Sequence, residues 1–256
     1  MEITFENSSI HFTNKGSGNP LILLHGFLES VSIWNDLQEK LAKNRQVVCI
    51  DLPGHGKTGN FAAIHSIELM ADVVNQVLLH LNIKKADFAG HSMGGYVCTE
   101  FLKKYPEKIN KVALINSTPS ADSEEKKENR NRAINLVKKN KDAFVSMAIS
   151  NLLTPENNLK FKSEIQDLKA EAIKMPAENI IAAIFGMRDR EDRKEAFKNH
   201  PSEKYIVIGM QDPVLDVAKT TTIAKNTGSH IVNFPDGHLS YLENKPLILN
   251  FLQSIA

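Results

Sequence analysis

The feature that most constrains this chain is an alternation of short, nearly unbroken apolar runs with stretches of helical spacing. "LILLHG", "QVVCIDL", "ADFAGHS", "INKVALINS", "KYIVIGMQD" and "SHIVNF" have little polar alternation. Such runs suit strands covered on both faces better than strands with one wet face. Between them the period changes. Ile33, Leu37 and Leu41 recur at four-residue intervals and predict a helix over 32–44. Ile67, Met70, Ala71, Val74, Val77, Leu78 and Leu81 predict another over 66–81, and further helices are expected over 93–104 and 241–255. Parallel neighbours need crossovers, so this order predicts an α/β fold with a mostly parallel sheet and helices on both faces. "EITF" and "SIHF", flanking polar Glu6, Asn7 and Ser8, add an N-terminal antiparallel hairpin and bring the expected strands to eight.

Residues 117–201 interrupt the alternation. They are rich in Lys, Glu, Asn and Arg, yet Ile134 with Val137, and Phe144 with Met147 and Ala148, keep helical spacing. A disordered linker has no need of such spacing. Pro176 followed by "AENIIAAIF" predicts a further helix with proline in its first turn. The segment is therefore expected to be a helical cap inserted into a single domain spanning 1–256, a length one α/β domain can fill.

With 31 Lys and Arg against 30 Asp and Glu, the formal net charge is +1. A nearly balanced chain has no broad field for nucleic acid or an anionic membrane, so a small-molecule partner is expected. Cys49 and Cys98 are far apart without CxxC spacing and are expected to be buried free thiols, with no metal site. "MEITFENSSIHF" lacks the pattern of a signal peptide, and no apolar run nears the ~18 residues of a membrane helix. A cytoplasmic location without membrane insertion is the expectation. Oligomeric state has no signal in the sequence.

One motif asks for a chemical explanation. In "ADFAGHSMGGYVC", Ser92 lies between Gly90 and Gly94 where a strand gives way to a helix. A G-x-S-x-G match alone arises by chance in roughly one chain in ten of this length. Its strand-turn-helix setting is more specific: flanking glycines leave room for a sharp turn that presents the hydroxyl, and the Met93 N–H at the helix start can donate to an oxyanion. A serine hydroxyl needs a base to take its proton and an acid to orient that base. Asp212 follows the strand in "IVIGMQDPV", and His238 follows the next in "FPDGHLSYLE". Both stand where a parallel sheet opens its crevice. Either alone has an ordinary reading, since Asp before Pro starts turns and loop histidines are commonly solvated. "LILLHGFLES" supplies a neighbouring loop in which Phe27 N–H is the second expected oxyanion donor and His25 and Gly26 shape the turn. Gly26, Phe27, Leu28 and Met93 are the expected substrate contacts in an apolar pocket of modest size.

His25-Gly26-Phe27, "DLPGHGKT" from Asp51, Gly90-His91-Ser92-Met93-Gly94-Gly95, Asp212-Pro213 and Gly237-His238 together resemble the α/β-hydrolase fold superfamily over nearly the whole chain, in particular its small capped carboxylesterases. The order Ser92, Asp212, His238 is the one that superfamily uses. The resemblance implies ester or thioester hydrolysis through an acyl-enzyme without a cofactor, because similar dehalogenases and epoxide hydrolases carry Asp where Ser92 stands. Some relatives place the acid after the earlier strand, but Asn116 occupies that position here. Similar lyases and perhydrolases use the same three side chains, and some hormone receptors of this fold bind ligands without turnover, so those readings stay open.

Other residues point elsewhere. The nine histidines match no metal-binding spacing, and "LPGHGKT" lacks that of a phosphate loop. Arg188, Arg190 and Arg193 could grip a substrate carboxylate, but neighbouring Asp189, Glu191 and Asp192 favour a solvated ion-pair face. Asp216 is expected to cap the helix from Val217, and Trp34 to pack in the core.

Overall fold

A computed structural model describes residues 1–255 of the chain. Its eight strands are β1 (Glu2–Phe5), β2 (Ser8–Lys15), β3 (Pro20–Leu24), β4 (Gln46–Ile50), β5 (Ala86–His91), β6 (Ile109–Ile115), β7 (Glu203–Gly209) and β8 (His230–Phe234). They form one sheet in the order β1-β2-β4-β3-β5-β6-β7-β8, parallel from β4 to β8, with β1 and β2 antiparallel at one edge. The hairpin turns on Glu6 and Asn7, both with positive φ, the conformation two-residue turns require. Leu21 to Leu24 are all fully buried, as are Val47 to Ile50, which is why these strands read as continuous apolar runs.

Because β3 lies between β4 and β5, the chain reverses its direction of sheet growth there. Open α/β sheets form their crevice at such a point, beyond the strands' carboxyl ends. Leu24 pairs with Gly90, so the loops after β3 and β5 leave the sheet side by side.

The helices of the main layer are α1 (Asn35–Leu41), α2 (Ile67–His80) and α3 (Met93–Lys104). Ser66 caps α2 by accepting from Leu69 N–H. The helix expected over 32–44 is shorter: Val31–Trp34 forms a 3₁₀ turn, α1 stops at Leu41, and Ile33 is only partly buried. Trp34 is fully buried against Tyr241.

Between β6 and β7 stand α4 (Glu124–Lys139), α5 (Lys141–Ser150), α6 (Pro155–Lys160), α7 (Lys162–Ala172), α8 (Ala177–Asp189) and α9 (Lys194–Asn199). In α4, Ile134 and Val137 are its buried pair, while acidic residues open the helix and lysines close it, matching the helix dipole. In α5 the buried set is Phe144, Val145 and Ile149, and Met147 faces solvent, contrary to the expected pairing. Pro176 is the residue before α8 rather than part of its first turn. His65 N–H donates to Ala182 O, docking α8 on the loop before α2.

The chain ends with α10 (Val217–Asn226), α11 (Ser240–Glu243) and α12 (Lys245–Ser254). Asp216 caps α10 through Lys219 N–H. The expected helix over 241–255 breaks at Asn244, because Pro246 has no N–H for the Leu242 carbonyl and its ring would meet that carbonyl. Cys49 and Cys98 are buried free thiols, and burial pushes the Cys49 thiol up to about 12. Among the described residues no helix is long and apolar enough to cross a membrane.

Candidate active site

Ser92 is the single residue between β5 and α3, held at φ 49° and ψ −113°. The turn is possible because of what a Cβ would strike. At Gly90 it would stand 2.3 Å from Gly94 O, and at Gly94 2.5 Å from Leu24 O. Both obstacles are backbone, so neither position accepts a side chain without moving the sheet or α3. Ser92 N–H donates to Ile115 O at 2.9 Å, and Ser117 Oγ donates to Ser92 O at 2.7 Å, fixing the turn on both sides.

Asp212 follows β7 and His238 follows β8, and their side chains converge on Ser92. His238 Nδ1 lies 2.8 Å from Asp212 Oδ2, and His238 Nε2 lies 2.9 Å from Ser92 Oγ. Asp212 Oδ1 also accepts from Val214 N–H at 2.8 Å and Leu215 N–H at 3.0 Å. Burial would raise the Asp212 carboxyl, but the charge and hydrogen bond of His238 and these two amides hold it below the usual range. An ionised carboxylate only accepts, so the imidazole proton sits on Nδ1 and Nε2 accepts from the Ser92 hydroxyl.

The sequence matches the profile of the alpha/beta hydrolase fold over residues 19–245. The chain belongs to the α/β-hydrolase fold family. Among its similar proteins is the dihydrolipoyllysine-residue acetyltransferase component of the acetoin cleaving system of Pseudomonas putida, 28% identical over 88% of this chain and 60% of that protein. Another is (E)-2-((N-methylformamido)methylene)succinate hydrolase of Acinetobacter baylyi, 26% identical over 68% of this chain and 63% of that protein. The chain thus spans about three fifths of the length of these curated relatives. A thermophilic esterase from Thermogutta terrifontis, solved with malate bound, superposes with a TM-score of 0.91 at 26% identity, covering 96% of this chain and 92% of that one.

In this α/β-hydrolase fold chain, Phe27 and Leu28 line a cavity of about 90 Å³ together with Ser92 and His238. Tyr96, Leu152, Met187 and Val214 complete much of its wall, so the inserted helices and the loop after β7 roof it. Neither Phe27 N–H nor Met93 N–H donates to another backbone group among the described residues. Leu28 has φ 64°, a strained conformation at the loop that carries Phe27. Gly26 and Met93 stand apart from that cavity wall: Gly26 N–H is taken by Glu29, and the Met93 side chain is fully buried in the core. A larger cleft of about 740 Å³ lies beyond Leu28 and Glu29, between Asp51 and α7, and does not include Ser92.

Several residues hold the site together, Glu29 and Tyr241 among them without any sign in the pattern. Glu29 Oε2 accepts from Gly26 N–H at 2.6 Å and from His91 Nδ1 at 2.9 Å, while its Oε1 accepts from Tyr241 at 3.0 Å. His91 Nε2 in turn donates to His238 O at 2.9 Å. One buried network therefore joins the loop of Phe27, the turn of Ser92 and the loop of His238. Asn116 Nδ2 donates to Asp212 Oδ2 and Gly237 O, both at 3.1 Å, and its Oδ1 accepts from Ser240. His25 Nε2 accepts from Leu52 N–H, leaving Nδ1 to donate to Gly26 O, and burial lowers its pKa. His55 is pushed down to about 3, chiefly by burial.

The three arginines do not share one solvated face. Arg188 pairs with Asp189 near the surface, but Arg190 is buried against Asp122 and Arg193 against Glu100. Their buried partners, Asp122 and Glu100, are distant in sequence, and Arg193 also keeps a contact with the adjacent, exposed Glu191.

Proposed function

We propose that this chain is a serine hydrolase that cleaves a small carboxylic ester or thioester through an acyl-enzyme. The observation that carries the reading is the continuous line from Asp212 through His238 to Ser92 Oγ, which opens into a small, largely apolar cavity. Ser92 Oγ attacks the acyl carbonyl carbon while His238 Nε2 takes its proton, and Asp212 stabilises the imidazolium. Phe27 and Met93 N–H hold the oxyanion. Collapse expels the alcohol or thiol, which takes the proton from His238. Water then attacks the acyl carbonyl with the same base, restoring Ser92 and releasing the acid. The atoms balance without a cofactor. The helices over 117–201 act as a cap of a single domain, and the small cavity favours short acyl groups. The similar esterase and succinate-derivative hydrolase support this direction.

The test is hydrolysis of p-nitrophenyl esters from acetate to laurate by the protein and by Ser92→Ala. Activity at the short end that disappears in the variant is expected. Equal activity in the two proteins, or a folded wild type inert on the whole series, overturns the reading.

A further inference from the structure

The inserted helices bring one full charge to the cavity that holds Ser92. Arg130, on α4, lines the wall with Ser92, His238 and Tyr96. Its Nε donates to Asp122 Oδ2 at 3.2 Å, the single hydrogen bond its guanidinium makes among the described residues. Asp122 is already matched: Arg190 Nη2 lies 2.8 Å from its Oδ1, with the two side chains only 5% and 1% exposed. Arg190 also donates to Ser120 O and Met187 O, and its guanidinium stacks 3.8 Å from the Tyr96 ring centre. Two guanidinium groups on one carboxylate leave a surplus positive charge. Arg130, with its side chain 25% exposed, is the one on the cavity wall, and its Nη1 and Nη2 have no protein acceptor among the described residues.

The other charged groups there do not offset it. Glu29 is paired with His91, and the Asp212 carboxylate stands behind His238, outside the cavity wall. Much of the remaining wall is apolar, from Phe27 and Leu28 to Leu152, Met187 and Val214. A guanidinium with open donors in such surroundings matches a planar carboxylate, which accepts two parallel N–H bonds. Low local dielectric strengthens that contact.

We infer that the substrate is a short ester bearing a second carboxylate, gripped by Arg130 while Ser92 attacks the ester carbonyl. The inference rests on the serine-hydrolase reading for its ester half, and on Arg130 for its carboxylate half. A cavity of about 90 Å³ leaves room for only a few carbons between the two groups, so half-esters of short dicarboxylic acids are the class that fits.

The carboxylate half is tested without turnover, by calorimetric binding of glutarate to Ser92→Ala and to Ser92→Ala with Arg130→Gln. Loss of a charge-assisted contact weakens Kd at least about tenfold in the double variant. Arg130→Lys in the same background keeps the charge without the planar fork and falls between them, which also covers a failure of Arg130→Gln to fold. Equal Kd values in the Arg and Lys or Gln proteins overturn the inference. Turnover tests the whole: the kcat/KM ratio of monomethyl glutarate to neutral methyl glutaramate exceeds one in wild type and collapses in Arg130→Gln, mainly through KM. A wild-type ratio of one or below overturns it. Arg130-dependent glutarate binding with no hydrolysis of either ester keeps the carboxylate site and refutes the hydrolase reading instead.

Discussion

Replacing Glu29 by Gln probes the buried network that ties the three loops of the site together. Glu29 is 7% exposed and accepts three hydrogen bonds, from Gly26, His91 and Tyr241. Burial alone would raise its carboxyl, but His91 and the Gly26 amide hold it below its ordinary value of 4.5. Burial alone would likewise lower His91, yet Glu29 and the His238 carbonyl raise it above 6.5. The pair is therefore ionised around pH 6. Glutamine puts an NH₂ among donors and leaves the His91 imidazolium buried without its counter-charge. Breaking one side of a buried ion pair costs about 3–5 kcal/mol. At roughly 2–4 °C per kcal/mol for a chain of this size, Tm falls by about 6–20 °C. The raised His91 contributes fully below 6.5 and fades as pH rises through its folded value; the depressed Glu29 contributes above 4.5 and fades as pH falls through its folded value. The gap between wild type and variant is thus widest between pH 4.5 and 6.5 and narrows on either side. Thermal and urea unfolding followed by circular dichroism across pH measures it. A gap under about 1 kcal/mol near pH 6, or one that widens toward alkaline pH, refutes the ion-pair reasoning.

Three further outcomes are expected. Ser92→Gly relieves the positive φ and raises unfolding stability by about 1 kcal/mol while ester turnover vanishes; a lower Tm would show that the turn is not strained. Gly94→Ala drives a Cβ toward the Leu24 and His25 carbonyls, so expression trials should yield little folded protein or one destabilised by more than about 3 kcal/mol. Asn116→Ala frees Asp212 and Gly237 and lowers kcat about ten- to a hundredfold with KM little changed; steady-state kinetics on a short ester reads the split, and an equal change in KM would assign Asn116 to binding.

The strands and the placement of Ser92, Asp212 and His238 were legible because each depends on local pattern: an apolar run, a turn glycine, a polar residue just past a strand end. What joins them was not. Glu29, His91 and Tyr241 meet across separations of 62 and 212 residues, and no spacing rule reports a contact that only the sheet order creates. Asn116 stands where some relatives carry an acid, and only the packing of β6 beside β7 shows its amide donating to Asp212 and Gly237. Arg130 lies on a helix whose charges look like a solvated face, and only the packing of α4 over the crevice distinguishes it from its neighbours. The break at Asn244 was readable from Pro246 two residues on, a signal that the apolar periodicity of the last segment masked.

In this mechanism Ser92 becomes covalently acylated. Rapid acid quench during turnover of a short p-nitrophenyl ester, followed by peptide mass spectrometry, tests it most directly. The acyl mass is expected on the peptide containing Ser92, accumulating ahead of steady-state release and absent in Ser92→Ala. Steady hydrolysis with no adduct there, or with the acyl group on another residue, would contradict it.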